Sequence, residues 1–303
     1  MPLRPLGLGD IYDAAFRVIR FNPKATVGSA VLVATVAMSL PIIVTGILTA
    51  STNLTIAETG STDDSLVGYL GAFGSLGVGL VLFAFGNLLV TGMIAHVVAA
   101  AAIGRRLSLG EAWAATHGKR WRLVGLSLLI GFGFMLALAL YVLVFALVVT
   151  TAPTGAVVAF GIITVPALIV LMIWAWIRLA YLPVPALMLE DVGVIGALQR
   201  CYTLTRQQFW RTFGIALLTM VLVGVATNIL TFPITLVGQV GALAVDARYS
   251  VLVLIISQAV AQVIAAAFST PFSSAVTSLQ YVDQRMRKEA YDVELMRQAG
   301  LTG

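Results

Sequence analysis

The sequence predicts an all-α, polytopic integral membrane protein with six transmembrane helices. Three observations carry that expectation. Hydrophobic residues make up 60% of the 303 and charged residues only 10%, where an average globular chain has about 25% charged. Several apolar runs exceed the roughly 20 residues a helix needs to cross a bilayer, and none shows the alternation of barrel strands. Finally, all of the 18 Lys and Arg except Arg248 fall on one side of the predicted spans. The positive-inside rule makes that side cytoplasmic and places both termini there. Residues 1–303 are read as a single membrane domain.

Residues 1–24 come first. Asp10, Asp13, Arg17 and Arg20 share one helical face, and Ile11, Ala15, Val18 and Ile19 share the other. That pattern predicts an amphipathic interfacial helix, with Asp13 and Arg17 as an i,i+4 pair. Asn22-Pro23 should end it, because proline disfavours helical geometry in the residue before it. The spans follow at about 25–50, 76–102, 123–150, 155–182, 212–237 and 250–279. The first is too long, and starts too far in, for a cleaved signal peptide. The loop at about 51–66 has three acids and no base. Gly71, Gly74, Gly77 and Gly79 favour close helix packing or a frayed start for span two. In the second cytoplasmic connection, Ser108-Leu-Gly-Glu111 fits a capping box, so a short helix starts there. Trp113 and Trp121 are its interface anchors. A tight turn at Thr151–Thr154 joins spans three and four. Pro183 and Pro185 break span four near the interface. The tail, 280–303, mixes both signs of charge and reads as helical to about Gln298.

The stretch Gly196–Arg211 stands out between spans four and five. At about 100° per residue, Gln199, Arg200, Thr203, Arg206, Gln207 and Arg211 fall on one arc. Val194, Leu198, Cys201, Tyr202 and Phe209 fall opposite. This reads as one helix with a basic face, lying in the cytoplasmic interface plane. Cys201 is the sole cysteine, so no internal disulfide forms, and it reads as a reduced packing residue. Comparable starts, Leu8-Gly9-Asp10, Leu109-Gly110-Glu111 and Ile195-Gly196-Ala197, precede each pair of spans. They suggest a threefold repeat of helix plus two spans.

The net charge of +5 sits beside spans, where anionic headgroups on the cytoplasmic side are the natural partners, not nucleic acid. Candidate contacts with lipid, a protein partner or a second copy are Arg17, Arg20, Lys24, Arg120, Arg122, Arg200, Arg206 and Arg211. The polar residues within spans are Asn87, His96, Arg178, Asn228, Gln258 and Gln262. His96 reads first as an interface histidine bonded to a carbonyl, and otherwise as a proton relay or a phosphate contact. Arg178 snorkels toward headgroups or pairs with Glu190 or Asp191. Asn87, Asn228, Gln258 and Gln262 read first as interhelical hydrogen-bonding groups and second as a substrate path. No catalytic, cofactor or metal motif stands out. There are two histidines and one cysteine, and adjacent Glu190 and Asp191 point about 100° apart on a helix.

Two stretches carry a family resemblance. One is Leu3–Arg17 with Asn22-Pro-Lys24; the other is Ala186–Glu190 with Gly196–Arg211. They resemble a family of uncharacterised actinobacterial membrane proteins related to the membrane domain of glycerophosphoryl diester phosphodiesterases. The resemblance implies a bacterial inner-membrane module beside an envelope-lipid process. The catalytic domain of those enzymes, with its metal-binding carboxylates and histidines, has no counterpart in this sequence, so their activity is not carried over. The expectation is a non-enzymatic scaffold or accessory partner in a cell-envelope or lipid-related process. A lipid or small-molecule transporter is the alternative, with a cavity lined by Asn87, Asn228, Gln258 and Gln262. A membrane lipid-modifying enzyme is third and needs a pocket joining His96 to Glu190 or Asp191.

Overall fold

The computed structural model describes residues 6–51 and 63–289. The loop read at about 51–66 lies largely outside them, as do the last residues of the tail. Among the described residues the chain is helical, with no strand. Six helices among the described residues are long and apolar enough to span a membrane, so this is a multi-pass, all-α membrane protein.

Helix α1 (Leu8–Phe21) leads into span α2 (Pro23–Ser51), and α3 (Asp63–Ala102) returns. A short α4 (Leu109–Ala115) precedes the hairpin of α5 (Arg120–Thr151) and α6 (Thr154–Ala175). A π turn (Trp176–Ala180), α7 (Pro183–Leu189) and α8 (Val194–Thr205) follow, then α9 (Phe209–Ala244) and α10 (Ala247–Glu289). One short helix precedes each of the first two span pairs, whereas a π turn and two short helices precede the third. The packing is not threefold: α2, α3, α9 and α10 form a bundle around α10, while α5 meets it through α3 and α6 packs on α5 and the π turn.

Local chemistry explains several of these boundaries. Ser108 caps α4 as its sequence predicts: its hydroxyl accepts from Glu111 N at 3.2 Å, and its own N–H donates to Glu111 Oε2 at 2.7 Å. The Ser108 N–H first, and then its hydroxyl donating to the same Oε2 at 2.9 Å, hold the Glu111 carboxyl below its ordinary range. Pro183 has no N–H to continue the helical ladder of span four. The chain takes one π turn before it, closed by Tyr181 N donating to Trp176 O at 3.0 Å.

The amphipathic helices differ from expectation in what covers them. The apolar face of α1 (Ile11, Ala14, Ala15, Val18) packs on the Val90–Val98 stretch of α3 and the Phe272–Leu279 stretch of α10. Protein, not lipid, covers it. The same holds for α8, whose Ala197, Cys201 and Leu204 pack on α7 and Tyr281. Nor is Gly196–Arg211 one helix. The α8 helix ends at Thr205, and Gln208 has non-helical angles (φ −125°, ψ 27°), so Arg211 belongs to α9. Tyr202 is exposed, and Leu204 takes the buried place instead.

Candidate functional site

Two places concentrate polar chemistry: an ion-pair cluster at the end of the bundle where α1, α7 and α8 gather, and a groove beside α3 within the spans.

The cluster has two centres. Asp283, fully buried on α10, accepts from Leu6 N at 2.7 Å, pairs with Arg211 and binds Arg287 Nε at 3.1 Å. Arg211 and Arg287 both also donate to the Leu6 carbonyl, at 2.7 and 2.9 Å. One carboxylate therefore ties the N-terminal segment, the start of α9 and the end of α10. A buried charge is tolerated when paired and hydrogen-bonded in this way. Glu190 is the second centre. Arg200 grips it in a fork, Nε to Oε2 at 2.9 Å and Nη2 to Oε1 at 3.1 Å. Arg285 lies 3.3 Å away, and the Tyr281 hydroxyl donates to the same carboxylate. Its neighbour Asp191 is 94% exposed and only 3.6 Å from Arg122. Lys119 closes the end of α7 by donating to Met188 O and Glu190 O at 3.1 and 2.8 Å. Burial pulls the Lys119 pKa down. Burial also pushes the Cys201 thiol up to about 12.

The candidate contact residues thus part company. Arg200 and Arg211 are half-buried and held in ion pairs with Glu190 and Asp283. Arg120 stacks on Trp113 at 3.8 Å and donates to the Trp113 carbonyl at 2.7 Å. Arg17 pairs with Asp13 in the open. Arg20, Lys24 and Arg206 are exposed, without an acidic partner among the described residues.

The groove is made of two hollows meeting at Ala84 and Leu88 of α3. One, about 640 Å³, is apolar and lies between α3 and the first half of α5, from Ser127 to Met135. The other, about 470 Å³, lies between α3, the π turn, α7 and α10. Its walls carry Asn87, Thr91, Tyr181, Ser269, Thr270, Ser273, Ser274 and Thr277. Thr91 bonds Ser274 at 2.9 Å, and Thr277 donates to the Ser273 carbonyl at 2.9 Å. Asn87 Oδ1 is buried without a hydrogen-bond partner, and the buried Tyr181 hydroxyl faces Thr277. Both volumes lie in the range of small-molecule sites, about 300–1,000 Å³.

Of the intramembrane polar residues singled out in the sequence, only Asn87 reaches this groove. Asn228 is exposed and donates to Gly224 O of its own helix at 2.8 Å. Gln258 is exposed and Gln262 half-buried on α10. Buried His96 Nε2 has no hydrogen-bond partner, and His96 is not among the groups that bind Glu190. Arg178 does not pair with Glu190 or Asp191 either; it faces α8. The hydroxyls crowding 269–278 were the available signal for the groove, and Asp283 lay hidden in the mixed charge of the tail.

Residues 159–298 match the family model for the membrane domain of glycerophosphoryl diester phosphodiesterase. The match covers a little under half of the chain. It takes in the π turn, α7 to α10, the ion-pair centres and three of the four walls of the polar hollow. The chain is similar to that domain, and no match to a catalytic domain accompanies it. No curated protein and no solved structure matches the chain.

Proposed function

We propose that this protein is a non-enzymatic membrane component of a cell-envelope or lipid-related process, and that it works by holding one membrane lipid in the groove. The carrying observation is the join between a hydroxyl-rich hollow and an apolar one at Ala84 and Leu88. A lipid has the same two-part chemistry. Polar groups in a span are costly and mark functional paths. The similarity to a phosphodiesterase membrane domain supports a setting among lipids.

Transport of that lipid is the second reading. It is favoured by the polar lining of a hollow that lies within the spans. The test extracts the full chain into native membrane discs and weighs what co-purifies. A stoichiometric lipid, lost when Ser273→Trp fills the polar hollow, supports the groove. Equal lipid content in both proteins contradicts it. A flux assay on the same pair then separates transport from holding.

A further inference from the structure

On the face of the π turn turned from the groove, Arg178 ends among aromatic rings. Its guanidinium carbon lies 5.1 Å from the Tyr202 ring centre and 5.8 Å from those of Trp174 and Phe209. Nη2 makes one long bond, 3.4 Å to the Arg206 carbonyl. Nε and Nη1 are shut off from solvent and have no hydrogen-bond partner. No ion pair among the described residues includes Arg178. The nearest acids in sequence, Glu190 and Asp191, are engaged by Arg200, Arg285 and Arg122.

Two more cations stand beside it. Lys288 Nζ donates to the Thr203 carbonyl at 2.9 Å and lies within electrostatic reach of both Arg178 and Arg206. Glu289 is paired with Arg200 and Arg285. The C-terminal carbonyls of α8 attract cations, and they account for Arg178 Nη2 and for Lys288. They leave Nε and Nη1 unmet. A charged donor kept from water without an acceptor is costly. Like charges gathered around it add to that cost.

An anion removes both costs. We infer that Arg178, Arg206 and Lys288 form a site for one phosphate group, carried by an anionic phospholipid or free in solution. Phosphate offers several acceptor oxygens to donors that point in different directions. The three rings exclude water and favour the weakly hydrated guanidinium as its partner. The site sits where the apolar run of α6 gives way to the basic residues around α8 and the end of α10, a setting that suits a headgroup phosphate. It is separate from the groove and does not depend on it.

The test follows thermal unfolding of the full chain in detergent by tryptophan fluorescence. The additions are short-chain phosphatidylglycerol, inorganic phosphate and a short-chain diacylglycerol without phosphate. A saturable rise in Tm with phosphatidylglycerol, absent with diacylglycerol, is expected. Arg178→Gln abolishes it, and Lys288→Gln raises the half-saturating concentration about tenfold, as loss of one charge-assisted contact does. Arg20→Gln, at an exposed basic residue on α1, leaves it unchanged. An equal rise with inorganic phosphate assigns the site to free anion rather than lipid. No rise with either phosphate compound overturns the inference, as does an unchanged titration in Arg178→Gln. If that variant does not fold, Lys288→Gln decides, since Lys288 is exposed; an unchanged titration there overturns the inference too.

Discussion

The α5–α6 hairpin and the α2–α3–α9–α10 bundle are both made of long apolar helices, yet they are buried in opposite ways. The hairpin spans are the most hydrophobic of the six, and their most apolar windows contain no buried residue. The bundle spans are less hydrophobic and hold the packed interior: Ala30, Ala34, Ser29, Ala259, Ser274 and Ala275 are all buried. Lipid tails are as apolar as leucine, so hydrophobicity does not drive spans together. Small residues do, by letting backbones approach and by bonding across helices. The hairpin's large side chains face lipid, and it joins the rest through Leu123 and Leu126 at its foot.

The difference is breakable at defined positions. The largest effect is expected at the foot of the bundle. Asp283→Ala removes the partner of Leu6 N, Arg211 and Arg287 at once and leaves two guanidinium groups without their acid. Breaking a buried pair costs about 3–5 kcal/mol, to be read as a lower denaturant midpoint of the full chain in detergent. Next come matched glycines. A methyl on Gly79 would meet the Pro41 ring at 3.0 Å and the Ala37 carbonyl at 3.1 Å, whereas one on Gly131 of the hairpin meets nothing. Gly79→Ala should lose about 1–3 kcal/mol through overpacking. Gly131→Ala should be neutral or gain up to about 1 kcal/mol from helix propensity. Equal costs at the two sites would erase the distinction between bundle and hairpin.

Smaller effects sharpen the picture. Cys201 is buried and holds its proton up to about pH 12, so a maleimide at pH 8 should not label the folded protein. The unfolded thiol ionises near its ordinary 9. Stability from this group is therefore complete below about pH 9 and falls as pH rises toward 12, and Cys201→Ala should flatten that limb of the curve. Asp13→Asn, at an exposed pair on α1, should leave thermal unfolding unchanged.

The sequence carried the six spans, because apolar length and one-sided basic charge report directly on the bilayer. It carried the Ser108–Glu111 cap, which is local. It did not carry the partners of Arg200 and Arg211. Periodicity assigns a residue to a face, but not what lies against that face, and here Glu190 and Asp283 do. Nor did it separate α8 from α9, since the break at Arg206–Gln208 contains neither glycine nor proline. The π turn followed from Pro183 only in part: a proline announces a break, not its geometry. Asn87 was legible as polar within a span. Its companions in the groove were passed over because Ser and Thr often bond their own helix, as Thr277 does.

The central claim is that the gap between hairpin and bundle holds a chosen lipid rather than bulk lipid. A photo-crosslinking residue at position 273, on the groove wall, should capture one lipid species enriched over the surrounding membrane. The same residue in place of Ile163, which is 70% exposed on the hairpin, should capture lipids in bulk proportion. Bulk proportions at both positions, or a crosslink from 273 to α5 showing a closed groove, would contradict the account.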